Sequence, residues 1–529
     1  MKFKKLSSMM MVAILSVGLL SGCSNSSGKD KDTSSGGSDK PKVLTIATGR
    51  SFYQGEGTDI FVHGSTNVWE SLVKLQDDMT PACDLAESIE PSDDYMSWTI
   101  KVKKGIKFHD GTELNAKAVK YNLDRLYHFS DVDKKYDKKT ENVDDYGKIK
   151  SIELVDDYTV KVTHKEPTVD FMARLSYASG AMFSLESFND DGQIVKPYGT
   201  GPFKLKDYDE TSDVLTLEKF ADYRNGKAKL DEVVFKKIED ASTRLSALQT
   251  GEIDVVADVG AIMPQQADKV KSDDKLELKE QLVTTTHYMN LNKSKGKLFN
   301  NNDLAQAVSY AVSSESIVKD LLQGYGKEAK SVITSVSKKY SKDCGYEYNM
   351  DKAKELKEKS IGDKKESIDI IINSALTGRW PYENVAMLIQ SQLEKIDIKS
   401  NIEVVDAAVW SERLKKGDYD MTLAPYTIST GEPSFYFEPH MKSDGAINVS
   451  RSYGYKNSKT DELIAKAATE TDEQKRVKDY QKLQDIARKE GPTIPLWEDV
   501  TLYAVNKKVK DFNLNLLFWS DLSVVDIEK

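Results

Sequence analysis

Hydrophobic and polar positions change period repeatedly along this chain, and each change marks an element. Val43 to Ala47 is a short apolar run ending at Thr48, Gly49 and Arg50, which reads as a buried strand handing over to a polar loop. Trp98, Ile100 and Val102 alternate with Thr99, Lys101 and Lys103, the period of a half-buried strand, and Gly105 to Gly111 supplies its closing turn. Asn115 then precedes Ala116, Val119, Leu123 and Leu126 at helical spacing, which predicts an N-capped helix. Val160 and Val162 alternate in a further strand. Short strands punctuated by Gly or Pro follow between residues 197 and 260, and helical patterns occupy Ala305 to Leu322 and Val385 to Ile396. Near the C-terminus Asp472 can cap an amphipathic helix carrying Val477, Tyr480, Leu483 and Ile486, stopped by Gly491 and Pro492, after which Ile494 to Val505 returns as strand. The expected fold class is α/β.

The N-terminus follows a different pattern. Lys2, Lys4 and Lys5 precede an almost wholly apolar run from Met9 to Leu20, shorter than the roughly 20 residues of a lasting transmembrane helix. Residues 1–22 therefore read as a signal peptide that is removed. Leu20, Ser21, Gly22 and Cys23 resemble a lipobox, which implies lipidation of the Cys23 thiol and cleavage before it. Residues 24 to 41 are nearly all Ser, Gly, Asp, Asn and Lys, so the stretch 23–42 is expected to be a flexible tether.

Loss of the three signal-peptide lysines leaves an excess of about 13 acidic residues, which argues against nucleic acid as a partner. The body of about 490 residues exceeds what one core usually organises, so two or three subdomains are expected. With Cys23 lipidated, only Cys83 and Cys344 remain, too few for a disulfide framework or a thiolate zinc site; one disulfide or two separate thiols both fit. The chain has no HExxH, GxSxG or P-loop, and Gly199, Thr200 and Gly201 lack the third glycine of a dinucleotide fingerprint. Motifs alone leave open an enzyme that uses dispersed residues such as paired carboxylates; no cofactor and no enzymatic activity are nonetheless the expectation, a secreted hydrolase or a surface adhesin being the lesser readings.

Several separated runs share one likeness. Leu85 to Ser88, Trp98 to Val102, Gly105 to Thr112, Gly199 to Phe203, Tyr223 to Phe235, Leu248 to Val255 and Gly417 to Leu423 occur in the order found in the family 5 extracytoplasmic solute-binding proteins. The chain resembles that family, which includes dipeptide, oligopeptide and nickel receptors. The resemblance implies a two-lobed, class II periplasmic-binding-protein-like fold with an inserted subdomain and a hinge of two crossovers. Lobe one would combine residues 43–75, 196–285 and 495–529; residues 76–195 would form the insertion, and 286–494 the second lobe. It further implies a monomeric substrate-binding lipoprotein of an ABC importer, held to the cell membrane through Cys23, that hands its ligand to permease subunits. His109 and Asp110 would then lie in a turn before the helix, where His109 satisfies backbone groups.

Strand-to-loop junctions supply the candidate contacts. Arg50 and Tyr53 follow the first strand, and His63, Asn67 and Trp69 lie in the next stretch. In the second lobe Arg379 and Trp380 precede a helix, Trp410 follows the strand Ile402 to Val405, and Tyr426, Thr427, Ser429 and Glu432 follow the strand at Met421. Arg379 suits a bidentate clamp on a ligand carboxylate. Many peptide-binding members place an Asp in the last loop to pair with the ligand ammonium; here it is absent, and Glu432 is the available substitute. The arginines that nickel receptors direct at chelate carboxylates are likewise missing from Leu175 to Phe188. His63 and His440 are the imidazoles available to a metal chelate. A short oligopeptide is the expected ligand, and a nickel chelate the alternative.

Overall fold

A computed structural model describes residues 40–54, 61–127, 148–176, 180–190 and 192–528. The signal peptide, Cys23 and the tether up to residue 39 lie outside those residues, as does the side chain of Leu126. Among the described residues, no helix is long and apolar enough to cross a membrane.

An eleven-stranded mixed sheet runs through the body. From one edge its strands are Phe203–Asp209, Val214–Lys219, Glu232–Lys237, Val43–Thr48, Val255–Val256, Thr493–Asn506, Leu276–Leu291, Met421–Thr427, Glu366–Asn373 and Ile398–Val405, with Gly326–Glu328 pairing onto Thr493–Asn506. Separate cores flank it, and the two larger ones mark two lobes. One gathers Leu44, Ile46, Phe235 and Val255 with Tyr503, Val505 and Phe512; the other gathers Tyr288, Ile370, Ile389 and Leu423 with Leu496 and Trp497.

Leu276–Leu291 and Thr493–Asn506 are the two strands that cross from lobe to lobe, paired antiparallel to each other. Their register holds from Leu276↔Asn506 to Leu282↔Val500, slips, and resumes at Thr286↔Glu498. The slip falls at the crossover, where Thr284 N donates instead to Leu516 O and Thr284 O accepts from Ile428 N. A bulge of this kind bends a strand locally and is suited to a hinge.

A third core, from Leu72 to Met182, is built on the four-stranded antiparallel sheet Ala86–Pro91, Ser97–Val102, Thr159–His164 and Ile149–Asp156. Trp98, Ile100 and Val102 are buried there, and helix Ala116–Tyr127 starts under the cap its sequence announces, with Ala118 N 3.0 Å from Asn115 Oδ1. His109 Nε2 meets Gly201 O at 2.9 Å, a backbone group as expected but a distant one rather than a local one.

Two local expectations are corrected. The helical pattern 305–322 is not one helix: Asn302–Ala311 ends at an extended Val312, and Ser313 caps a new turn by accepting from Ser316 N. The β-branched Val312 and the capping hydroxyl favour that break. Trp410 does not lie in a loop, because Asp406 caps helix Ala407–Lys416 directly after the strand. Cys83 and Cys344 are both free thiols.

Candidate functional site

Strand Val43–Thr48 delivers Arg50 to the boundary between the lobes. Its guanidinium forks onto Asp258, with Nε 3.0 Å and Nη2 3.1 Å from the two carboxylate oxygens. Burial pushes the Asp258 carboxyl up, but the charge and hydrogen bonds of Arg50 outweigh it, so the group stays below the usual carboxylate range. Arg50 Nη2 also lies 3.2 Å from His63 Nε2, and His63 Nδ1 accepts from Ser65 N. Burial, then the Arg50 charge, pull the His63 pKa down to about 3.

Arg379 meets this cluster from the second lobe. It packs against Gly260, which has φ +65 and where an added Cβ would lie 2.6 Å from Arg379 Cβ. Burial lowers the Arg379 pKa while Asp258 opposes the shift, and among the described residues its guanidinium makes no hydrogen bond or ion pair. A third guanidinium, that of the buried Arg244, points at the carbonyls of Ile238, Glu239 and Ala261 at 2.6, 2.7 and 3.2 Å. Three cations thus surround one carboxylate. Such a place favours a further anion, and a planar guanidinium matches a carboxylate in two hydrogen bonds.

Tyr426 and Thr427 do not follow the strand at Met421 but end it, paired with Thr286 and Thr285 of the crossing strand, and loop 428–433 leads on from there. Thr427 Oγ1 is 2.7 Å from Thr285 Oγ1, Tyr426 OH donates to Phe435 O, and Ser429 is partly exposed. Phe518, at φ 55, packs against both lobe cores, with Arg50 5.8 Å above its ring.

The remaining candidates have roles within the fold. Asn67 donates to Ser520 O at 2.9 Å and accepts from Leu522 N at 2.8 Å, which occupies its carboxamide. Tyr53 stacks on Tyr208, ring centres 3.9 Å apart. Trp69 packs edge-on against Trp519 and lines a cavity of about 310 Å³ with Arg224 and Tyr223. Trp380 is buried, its Nε1 3.3 Å from Asp499 Oδ1 and its ring edge on His287. Trp410 Nε1 donates to Thr422 Oγ1 at 2.9 Å inside the second lobe. Glu432, the substitute anchor for an ammonium, is instead committed to Arg476 at 2.7 Å, since a buried carboxylate needs a matching cation.

The two imidazoles are not brought together for a chelate. Both His63 nitrogens face hydrogen-bond donors, and His440 lies stacked 4.7 Å from Tyr436 with Nδ1 on Tyr436 O. Burial, then Arg451, hold its pKa at about 3. Among the described residues, no group of three or more His, Cys, Asp or Glu side chains is placed to hold a metal ion.

Sequence reading missed Asp258, Phe518 and Arg476. The signal for Asp258 was present, as a lone acid in the apolar run Val255 to Ile262.

Comparison with known proteins agrees with this architecture. Residues 80–448 match the bacterial extracellular solute-binding proteins, family 5. The glutathione-binding protein GsiB of Salmonella choleraesuis is 30% identical over 491 residues, covering 90% of this chain and 88% of that protein. The substrate-binding protein CtaP of Listeria monocytogenes superposes with a TM-score of 0.78 at 25% identity, covering 93% of this chain and all of that one. The periplasmic binding protein DppA of Helicobacter pylori, solved with the peptide STSA, gives 0.75 at 26% identity over 92% and 98%. Family match, two lobes and crossing strands together show that the chain belongs to the bacterial extracellular solute-binding proteins, family 5, the substrate-capturing components of ABC importers.

Proposed function

We propose that the protein captures a short peptide between its lobes, seats a peptide carboxylate on Arg379, and passes the ligand unchanged to its permease. The observation that carries this reading is the Arg379 guanidinium, partly buried and unmatched among the described residues, opposite the Arg50–Asp258 pair of the other lobe. A ligand that contacts both lobes stabilises the closed state over the open one, which is how such a receptor reports occupancy. GsiB is named for glutathione and the DppA structure holds a tetrapeptide, so peptides suit relatives on both the sequence and the structure side. The lobes are taken as 43–75 with 196–285 and 495–529, and 286–494, with 76–195 inserted; the monomer is taken to be anchored through lipid on Cys23.

Thermal unfolding against a panel of peptides tests the reading. Free-acid peptides at a hundredfold excess over Kd should add about 2.7 kcal/mol of stability, and C-terminally amidated copies should add little. Arg379→Gln should weaken free-acid binding by about 2 kcal/mol, the scale of a charge-assisted hydrogen bond. Recovery of an intact ligand excludes hydrolysis. A shift seen only with Ni²⁺ plus free histidine would overturn the peptide reading. Mass spectrometry of the N-terminal fragment, with Cys23→Ala as control, tests the anchor.

A further inference from the structure

We infer that a buried contact between the inserted subdomain and the second lobe closes one end of the cleft and restricts this receptor to short peptides. The inference rests on the peptide reading above and adds a ligand length to it.

The contact is built on the short helix Phe171–Arg174 and the N-terminus of helix Ser434–Met441. Arg174 Nε lies 2.7 Å from Asp170 Oδ1, and Ser434 donates its hydroxyl to Asp170 Oδ2 at 2.8 Å. Glu438 approaches the Arg174 guanidinium at 3.6 Å, and the Phe435 ring lies 5.2 Å beneath it. The side chains of Asp170 and Arg174 are 2% and 6% exposed, so the ion pair is dry. Burial raises the Asp170 pKa, yet Arg174 keeps it below the usual carboxylate range. Beside this contact Gly431, at φ +72, leaves room for Met79: an added Cβ would come 2.7 Å from Met79 Cβ.

The end of strand Met421–Thr427 and loop 428–433 lead directly into this contact, so a chain lying along Tyr426, Thr427 and Ser429 runs between Arg379 at one side and the Asp170–Ser434 hydrogen bond at the other. An extended peptide advances about 3.3 Å per residue. Each residue added beyond the wall must part Ser434 from Asp170 and Glu438 from Arg174, which takes a hydrogen bond and a charge contact away from the buried Asp170–Arg174 ion pair. A short peptide fits without that disruption, whereas a long one holds the lobes apart. Asp170, Arg174 and Ser434 are therefore the residues that set ligand length.

The test uses the full-length protein in detergent, titrated calorimetrically with free-acid alanine peptides of two, three, five and nine residues. Di- and tripeptides should bind at least about tenfold more tightly than the nonapeptide. Ser434→Ala and Arg174→Gln should narrow that difference, mainly by admitting the longer peptides. Equal affinity for all lengths overturns the proposal. Hydrogen exchange of residues 170–176 and 434–438 gives a readout that needs no ligand. Protection in the wild type, reduced in Ser434→Ala, supports the wall; exchange at the rate of an exposed loop sinks it. If no alanine peptide binds at any length, the peptide reading falls, and the exchange result alone decides whether the wall exists.

Discussion

At the residue scale the cleft floor is a problem of charge balance. Asp258 carries the carboxylate that Arg50 forks onto, and it also attenuates the repulsion among Arg50, Arg244 and Arg379. Asp258→Asn should cost about 3–5 kcal/mol in urea unfolding, because it breaks a buried pair and leaves cations facing one another. A loss under about 1 kcal/mol would mean that solvent already screens the cluster. Arg50 and Arg379 were legible in the sequence, since polar residues at strand and loop ends invite a surface role. Asp258 stands out as a lone acid in an apolar run, but its pairing was not legible, because its partner lies far away in the chain and local periodicity carries no information about pairing. Glu432 shows the converse: its loop position was visible, but Arg476, which claims it, sits on another helix.

At the element scale, caps and alternation gave reliable boundaries. Asp472 N-caps helix Glu473–Glu490 by accepting from Lys475 N, and the buried Tyr480 and Leu483 lie on its inner face. Asp472→Ala should lower stability by about 1 kcal/mol, read as a shift in denaturation midpoint with unchanged slope. The break at Val312 was not legible, because the apolar spacing continues across it. To the local preference of Val312 and Ser313 the fold adds Gln392, whose side chain accepts from Ser313 N, and that contact comes from a helix some 80 positions away. Of the crossing strands, Ile494 to Val505 was visible as an apolar run, but the mixed-polarity Leu276–Leu291 and the slipped register between the two were not, since the register depends on which partner each half of the strand meets.

At the scale of the whole molecule, the order of the family blocks made the two lobes legible, while the polar groups buried within and between them were not. Those groups govern the response to acid. Burial first, with Arg50 and Arg451 adding to it at His63 and His440, holds His63, His109 and His440 at about 3, 4 and 3, against about 6.5 in an unfolded chain. A lowered histidine contributes stability that is complete above pH 6.5 and is lost as the pH falls toward the folded value. Each should contribute a slope of up to about 1.4 kcal/mol per pH unit, steepest between about pH 6 and 4. Chemical denaturation at pH 7.5, 6 and 5 checks this, and a profile flat down to pH 5 would contradict it. Asp170 and Asp258, lowered by their arginines against the opposing effect of burial, add their losses only below about pH 4. One architectural detail also bears on how the protein is made. The core that begins with Leu44 and Ile46 is completed by Tyr503, Val505, Phe512, Leu514 and Leu522. A nascent chain therefore cannot close its first lobe until its last segment has been synthesised, and until then it remains pliable enough to be threaded through a translocation channel.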